Sequence, residues 1–491
     1  MAVVTPTTTT GPTTTGPTSA PVPPPAPVTA PTPASSPPRA LRLRTVPGRI
    51  RAGAGAAVLA VGLLFALMGV ALGHAGDGLR AIGHTAGPQV VATADLYFAL
   101  SDMDAQVATV LLTGEKGGPG RQAALDRYDQ RRAQADSAVL QAADLAGDDP
   151  TGQMTVRAVL DGLGRYERLA SRALLLDEQS RHAAGPPSQA ALDVYRQATD
   201  LMRLDLLPKA YNLTLDSGTV VRHAYADESA AVLAGRFWVA LSGALALAVL
   251  VALQAFLARR FRRAINPALL AATVVVGVLT IAGVLVLQRV SDDMRTAKED
   301  GFDSVLVLSR ARAIGNSLHG DESRYLLDPQ RADTYEQVYL DKSQSVLYVP
   351  GGNLDKYYAA VDNSVAAFPG KADFLGFYGS EAGRITLPGQ REALARVLTL
   401  YQKFQHDDRQ MRQLATTGRS GDAVRQATGA SFRAYDGALV ELTKLHRLAF
   451  DDAVAEGDRA LGGWNLLLSG AALAAALLIL VGVRPRLAEY R

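Results

Sequence analysis

Four stretches without a formally charged residue constrain this 491-residue chain more than any other feature. They run over residues 52–73, 237–258, 264–288 and 460–483. Each has at least about twenty residues, the length that a helix needs to cross a hydrocarbon core of about 30 Å. A helix at the edge of a soluble core would carry polar residues at every third or fourth position, and these stretches do not. We therefore predict four transmembrane helices.

Three clusters of arginine indicate how these helices are oriented. Because arginine is retained on the cytoplasmic side of a membrane, the places where it flanks the spans are predicted to be cytoplasmic. Segments 75–235 and 289–459 then lie outside the cytoplasm, and both termini lie inside. The clusters precede the first span, connect the second and third spans, and follow the fourth: Arg39, Arg42, Arg44, Arg49 and Arg51; Arg259, Arg260, Arg262 and Arg263; Arg484, Arg486 and Arg491.

The short connection at 259–263 is read as a cytoplasmic hairpin. We interpret Arg259, Arg260, Arg262 and Arg263 as an anchor that fixes the topology. The alternative is that they bind anionic lipid headgroups or an acidic partner, both of which such a cluster attracts. In either case the protein is expected in the plasma membrane, with the lipid bilayer as a partner.

The segment 1–51 is predicted to be a disordered cytoplasmic tail. Up to residue 38 it consists almost entirely of Thr, Pro, Ala, Gly, Ser and Val, which bury too little apolar surface to offset the entropy of ordering. It is interpreted as a spacer, or as a tail that is phosphorylated or that docks a partner through its prolines. With only this tail, the hairpin and residues 484–491 inside, no cytoplasmic catalytic domain is expected.

The two halves of the chain repeat each other. GRFWVALSGALALAVL at 235–250 is similar to GGWNLLLSGAALAAAL at 462–477, and the RQAT at 196–199 recurs at 425–428. Leucine pairs end a helical pattern early in each outer segment: Leu111 and Leu112 in the first, Leu326 and Leu327 in the second. The order is the same in both halves, which indicates a tandem duplication of a span–domain–span unit.

Both outer segments are predicted to be helical. Apolar residues recur at three- and four-residue steps, as on one face of a helix. The fold class is therefore an all-α membrane protein with four transmembrane helices and two tandem extracytoplasmic domains of four-helix-bundle type, whose helices continue into the spans. The periodic residues are Val156, Val159, Leu163, Tyr166, Ala170 and Leu174 in the first segment, and Phe432, Tyr435, Leu439, Leu442, His446 and Ala449 in the second.

The second outer segment contains a stretch at 349–391, rich in glycine and aromatic residues, where the first has only a short turn. We predict a long irregular excursion from the bundle, of the kind that often carries function. One interpretation is a surface loop that packs its aromatics on the bundle. The other is a recognition surface, because aromatics and arginine supply much of the energy of interfaces. Its candidate residues are Tyr357, Tyr358, Phe374, Phe377, Tyr378 and Arg384.

The sequence shows no pattern of a catalytic, cofactor-binding or metal-binding site. It has no cysteine, and its seven histidines are not spaced like zinc ligands. The run His406–Asp407–Asp408 is interpreted as a solvated helix face. Nucleotide-binding loops and nucleophile elbows are missing, and no basic tail or face favours nucleic acid. We expect a protein that is not an enzyme and binds no cofactor.

The stretch ADLYFALSDMDAQVATVLLTGE at 94–115 is similar to the first helix of four-helix-bundle sensor domains in bacterial chemoreceptors. The usual cytoplasmic signalling modules of those proteins are absent here. In its topology, duplication and aromatic excursion, the chain also resembles a family of actinobacterial four-span membrane proteins. That family couples a glutamine-binding lipoprotein to a soluble Ser/Thr kinase, protein kinase G. The resemblance implies a solute-binding lipoprotein outside and a kinase inside as partners, and a homodimer is a further expected association.

These features favour a non-enzymatic transmembrane sensor that relays an extracytoplasmic signal to a cytoplasmic partner. The signal is expected to be a ligand or a ligand-loaded, amino-acid-binding lipoprotein. The alternative function is a structural or regulatory subunit of an envelope or transport machinery, such as a permease-like partner of a cytoplasmic ATPase. The absence of ionisable residues from the four stretches disfavours a transport pathway through the chain itself.

The predicted orientation can be tested with reporter fusions. Fusions at Gly118 and Gly352 should report an extracytoplasmic position, and fusions at Ala264 and the C-terminus a cytoplasmic one, because the arginine clusters stay inside. Paired reporters that are active on opposite sides of the membrane provide the internal control. A cytoplasmic signal at Gly352 would refute both the orientation and the tandem arrangement of the outer domains.

Overall fold

A computed structural model describes residues 46–147, 149–261 and 266–488. Within these ranges the chain is helical and forms no β-strand; a single isolated bridge pairs Tyr348 with Leu375. The predicted all-α fold is therefore confirmed. The prediction for the tail falls mainly outside the described residues, as do those for Arg262, Arg263 and the chain end at 489–491.

The helices of the first half and of the second half follow each other in the same order. In the first half they are α1 (Val46–Arg80), α2 (Gly87–Thr113), α3 (Gly118–Ala146), α4 (Pro150–Ser180), α5 (Gln189–Leu201) and α6 (Leu207–Phe261). In the second half they are α7 (Pro267–Arg295), α8 (Asp303–Leu327), α9 (Ala332–Val346), α10 (Leu354–Ala367), α11 (Gly376–Ala382), α12 (Gln390–Thr416), α13 (Ser420–Ala427), α14 (Ser431–Leu461) and α15 (Trp464–Ala488).

Four helices are long and apolar enough to cross a membrane; they contain three of the charge-free stretches in full and residues 267–288 of the stretch at 264–288. They form a ring in which α1 and α7 each pack against both α6 and α15. Their inward faces share one apolar core, whereas Leu59, Val278 and Leu466 on the outward faces are 75%, 60% and 83% exposed. A group of helices with an apolar core and apolar outward faces is suited to a lipid solvent. The chain is thus a multi-pass membrane protein.

Three of the four spans continue into the bundles without a break. The helix is uninterrupted from residue 46 to 113, from 189 to 261 and from 267 to 327, with short π-helical segments at 81–86, 202–206 and 296–302. The expected continuity is wrong for the fourth span. There the helix ends at Leu461, because Gly463 has a φ of +80°, which lies in the left-handed region that glycine tolerates.

Each half builds a helical bundle beside the spans. The first bundle consists of α2 to α5 and the first part of α6, and the second consists of α8 to α14. The leucine pairs at 111–112 and 326–327 lie at the ends of α2 and α8, as predicted. These two helices pack along each other in the same direction, since Phe98 contacts Arg312 and Asp104, further along α2, contacts Arg324. Every residue from 98 to 113 and from 315 to 324 is buried, so α2 and α8 form the centre of both bundles together.

The excursion at 349–391 is more regular than predicted, since it contains α10 and α11. It also buries most of the candidate recognition residues: Tyr357, Tyr358, Phe374 and Tyr378 are 0%, 2%, 4% and 0% exposed. Phe377 is half-buried and packs against the same core. Of the six residues only Arg384 is exposed. This burial favours the first interpretation, a segment that packs its aromatics on the bundle, because the aromatics complete the core of the second bundle.

The buried tyrosines of this core form hydrogen bonds as well as apolar contacts. The Tyr357 hydroxyl lies 2.9 Å from the Ser343 carbonyl oxygen and 2.9 Å from the Tyr401 hydroxyl. The Tyr378 hydroxyl lies 2.5 Å from that of Tyr435. A buried hydroxyl needs such partners to offset its lost hydration. These contacts join α9, α10, α11, α12 and α14.

Replacing Tyr357 with alanine should destabilise the second bundle by about 3–5 kcal/mol, because it leaves a large cavity and unpaired polar groups. Tyr348→Ala is the matched control, since the Tyr348 side chain is 45% exposed and should tolerate truncation. Denaturation of the full chain in detergent, followed by circular dichroism, measures both. Equal stability of the two variants would show that Tyr357 is not a core residue.

Candidate functional site between the two bundles

The interface between α2 and α8 contains charged residues, although packed helices usually contact each other through apolar side chains. Asp102 and Asp104 project from α2, and Asp321 and Arg324 project from α8. Arg324 is only 2% exposed, and both Asp104 and Asp321 are buried. Burying an ion costs several kcal/mol unless partners surround it. The geometry of these groups therefore decides whether the two bundles hold together.

Arg324 lies between carboxylates from the two halves of the chain. Its Nη2 donates to Asp104 Oδ2 over 2.6 Å, and its Nη1 donates to Asp321. Its Nε lies 3.3 Å from the hydroxyl of Tyr195, on α5. Burial by itself lowers the pKa of Arg324, but Tyr195 and the two carboxylates outweigh it and raise the pKa well above its usual value. The guanidinium thus remains charged in the interior.

The two carboxylates have further donors. Asp104 accepts hydrogen bonds from Thr199 Oγ1 at 2.7 Å and from the Tyr166 hydroxyl at 3.2 Å. Asp321 accepts from Lys342 Nζ at 2.5 Å. Burial would raise the pKa of Asp321, yet Lys342 and Arg324 lower it below its usual value. The network consists of two carboxylates and two cations, so it is electrically balanced within the core.

Ion pairs also connect the two bundles at the rim of this network. Arg196 on α5 forms a two-pronged contact with Asp328, with Nε–Oδ2 at 2.8 Å and Nη2–Oδ1 at 2.5 Å. Arg331 lies 3.2 Å from Asp200. Planar paired contacts of this kind fix relative orientation as well as contributing energy. They keep α5 against the end of α8.

A stacked contact continues the interface towards the membrane. Two guanidinium groups contact the ring of Phe98 on α2, Arg131 at 4.6 Å and Arg312 at 4.1 Å from the ring centroid. Arg312 itself is paired with Asp436 on α14, at 2.6 Å. Such cation–π contacts strengthen when they are desolvated. Phe98 therefore links the first bundle to α8 and α14 of the second.

A second buried polar cluster lies inside the second bundle. The carboxyl of Glu322 lies 3.0 Å from His319 Nδ1, and burial, with Asp408 nearby, raises the pKa of Glu322 well above its usual value. Burial lowers the pKa of His319 to about 4. Both shifts favour the uncharged form of the group, in which the carboxylic acid donates a hydrogen bond to the imidazole nitrogen. Asp408 instead pairs with Arg412 at 2.9 Å.

This arrangement corrects one expectation. His406–Asp407–Asp408 was expected to be a solvated face, but Asp408 is fully buried and accepts hydrogen bonds from Arg412 and Tyr358. His406 is exposed and lies 2.7 Å from Asp362. Because two residues span about half a turn of the helix, Asp408 lies on the opposite side of α12 from the exposed His406. The described residues contain no group of three metal-ligating side chains.

At the junction between the bundles and the spans, two glycines pack closely against α14. The π-helical segments at 81–86 and 296–302 occupy corresponding places after the first and third spans. A Cβ added at Gly301 would lie 2.6 Å from Phe450 Cβ and 2.9 Å from Phe450 Cα. A Cβ at Gly83 would lie 2.6 Å from Val454. Because both segments touch α14, a displacement there reaches α1 and α7 directly.

Sequence reasoning did not identify the network, although two of its signals were visible. The repeated RQAT was read only as evidence of duplication, yet its first copy contains Arg196 and Thr199, which both reach the interface. The charged run DESR at 321–324 precedes the second leucine pair. Helical periodicity cannot distinguish a charge that faces solvent from one that faces a charged partner. The interface followed only from the packing of α2 on α8.

Comparisons with known proteins bear on the first bundle. Residues 78–226 match the model of a family described as the actinobacterial sensor domain. The matched stretch runs from the end of α1 through α2 to α5 and into the first part of α6. No curated protein and no solved structure matches the chain. The first bundle is therefore similar to a bacterial sensor domain, and it is attached to a multi-pass membrane protein.

The charged network yields a quantitative prediction. Arg324→Met should lower the free energy of unfolding by about 3–5 kcal/mol, because it leaves Asp104 buried without a cationic partner. The double variant with Asp104→Leu should recover much of that loss, since it removes both buried charges. Denaturation of the full chain in detergent measures the effect.

The matched control for this prediction is Arg165, whose pair with Asp205 has side chains that are 54% and 34% exposed. Arg165→Met should change the stability by no more than about 1 kcal/mol. If Arg324→Met has an equally small effect, the network does not hold the two bundles together.

Proposed function

We propose that the chain is a non-enzymatic transmembrane sensor that relays an extracytoplasmic signal to a cytoplasmic partner. The observation that carries this proposal is the continuity of the helices. α6 has 55 residues, about 80 Å of helix at 1.5 Å per residue, and it belongs to the first bundle and to a span. The match to a sensor domain supports the same function.

The proposed relay begins at the contact between α2 and α8. Both helices continue into spans, α2 into α1 and α8 into α7, through the π-helical segments. A ligand or protein that changes how the two bundles fit together would move these spans relative to each other. Shifts of about 1–2 Å between packed helices are an established mode of switching.

The inner ends of the spans supply a surface on which such a shift could be detected. A groove of about 960 Å³ lies between α1 and α15, lined by Arg51 and Arg484 among apolar residues. With the orientation that the arginine clusters predict, the end of this groove that carries Arg51 and Arg484 lies at the cytoplasmic surface. We propose that a partner such as a Ser/Thr kinase docks there, and that a ligand-loaded, amino-acid-binding lipoprotein is the signal outside.

Spin labels can test whether the bundles and the spans are coupled. The chain has no cysteine, so Gly55→Cys on α1 and Val274→Cys on α7 give a label pair without further changes. Both positions are exposed, and a Cβ at Gly55 meets nothing within 4 Å. The double variant Asp104→Leu with Arg324→Met should shift or broaden the distance between the labels by about 1–2 Å in lipid nanodiscs.

The control for the label experiment is Asp126→Asn, which removes an exposed carboxylate on α3 whose one side-chain contact among the described residues is with Gln122. This variant should leave the distance unchanged. A distance that stays the same when the buried network is removed would contradict the proposed relay. A change that also appears in the control would do so as well, because it would not arise from the interface.

A further inference from the structure

A cleft between the two bundles is lined by arginines from three different elements. It encloses about 490 Å³ where α6, the beginning of α8 and the turn after α11 meet. Arg222 comes from α6, Arg310 from α8, and Arg384 from the turn. Arg384 is also the one exposed member of the candidate recognition residues. The first bundle and the second bundle therefore both contribute cations to one site.

The acidic residues of the cleft already have cationic partners. Asp303 accepts a hydrogen bond from Lys298 Nζ at 2.7 Å. Glu381 lies 2.5 Å from His446 Nε2. Burial by itself lowers the pKa of His446, but the hydrogen bond to Glu381 outweighs it and raises the pKa, which favours the imidazolium. Lys298 and His446 thus already balance the charges of Asp303 and Glu381, so these two carboxylates are not needed as partners of the arginines.

The three arginines are poorly compensated. Arg222 is exposed and makes no hydrogen bond or ion pair with any residue that the structure describes. Arg384 is 60% exposed, and its Nη1 lies 3.9 Å from Asp303, beyond hydrogen-bond distance. Arg310 Nε and Nη2 are buried without a hydrogen-bond partner, and the guanidinium lies 5.3 Å from the ring of Tyr211. Burial lowers the pKa of Arg310, and Arg222 lowers it further.

We propose that this cleft binds a small, multiply charged oxyanion, with the chemistry of a phosphate group or a dicarboxylate. Guanidinium groups present planar pairs of donors that match the oxygens of such anions. Three of them around one cleft repel each other when it is empty, and an anion removes that repulsion. The cleft has room for a molecule considerably larger than a water, whose share of liquid volume is about 30 Å³.

A lipid headgroup is a less suitable source of this anion than a soluble molecule. Arg222 lies about 22 Å along α6 from Phe237, where the apolar stretch begins, at 1.5 Å per residue. Arg310 is still further along its helix from the end of the third span. The cleft therefore opens well away from the bilayer surface.

Binding of an anion in the cleft would affect the proposed relay. Only this consequence, and not the binding itself, rests on the proposed function. An anion held jointly by Arg222 and by Arg310 and Arg384 joins α6 to the second bundle. Since α6 continues into the second span, binding would change the same interface that the buried network organises. Whether the anion binds is measured independently of any relay, so failure of one does not entail failure of the other.

The test uses the full chain in a detergent free of phospholipid. Thermal unfolding is followed during titration with sodium phosphate, with sodium succinate, and with sodium chloride at equal ionic strength. A ligand that binds only the folded state raises the melting temperature in a saturable way. We expect this for phosphate, succinate or both, and not for chloride. The stronger of the two identifies the source of the anion.

Variants locate the binding. Arg384→Gln and Arg310→Met should each weaken the apparent affinity by at least about tenfold. Arg384 is exposed, so its substitution should leave the fold unchanged. Arg310→Met removes a partly buried charge and its stack on Tyr211 but keeps an unbranched apolar side chain at that place. The matched control Arg157→Gln, at an exposed position on α4, should bind as the original chain does. The proposal is overturned if neither anion stabilises the chain more than chloride, or if Arg157→Gln loses binding as much as Arg384→Gln.

Discussion

The burial of Arg324 between Asp104 and Asp321 is the constraint on which the arrangement of the two bundles depends. A guanidinium in an apolar interior is tolerated only where carboxylates and hydroxyls surround it. Here the groups that contact the guanidinium come from α2 and α5 of one half and from α8 of the other. Sliding α2 along α8 by one turn, about 5.4 Å, would separate the charges without restoring their hydration. One register of the two central helices is therefore strongly preferred.

This constraint explains why a duplicated chain does not behave as two separate domains. The apolar core of the first bundle includes Leu326, Leu327 and Met411 from the second, so the two cores merge at the end far from the spans. The rim pair of Arg196 and Asp328 crosses the same boundary. The two units carry different residues on their contacting helices, and these differences are complementary in charge. The tandem copies have thus become parts of one structure.

The spans and the helical class could be predicted because they depend on local properties. A charge-free run of about twenty residues has few alternatives to a membrane helix, and the leucine pairs mark real helix ends. The excursion at 349–391 was predicted as irregular because its many glycines and aromatics are typical of a loop. Tyr357 and Tyr378 are core residues only because α12 and α14 cover them. The prediction for Asp408 was wrong for the same reason. Asp408 and its partner Arg412 both lie on α12, and both are buried because the rest of the bundle covers that face of the helix. Tertiary contacts of this kind have no signature in a single sequence.

The four connections from bundles to spans differ in mechanical character. The first and third pass through π-helical segments, which keep the helix continuous while loosening its hydrogen-bond register. Both segments lie against α14, where Gly301 permits backbone contact with Phe450. The fourth connection is interrupted at Gly462 and Gly463, so α15 does not follow α14 as a rigid extension. A displacement of α14 would therefore reach α1 and α7 by side-chain packing, while α15 stays free to adjust. The groove between α1 and α15, at the ends of the spans far from the bundles, then lies between a helix whose continuation packs against α14 through Gly83 and a helix that is no rigid extension of α14.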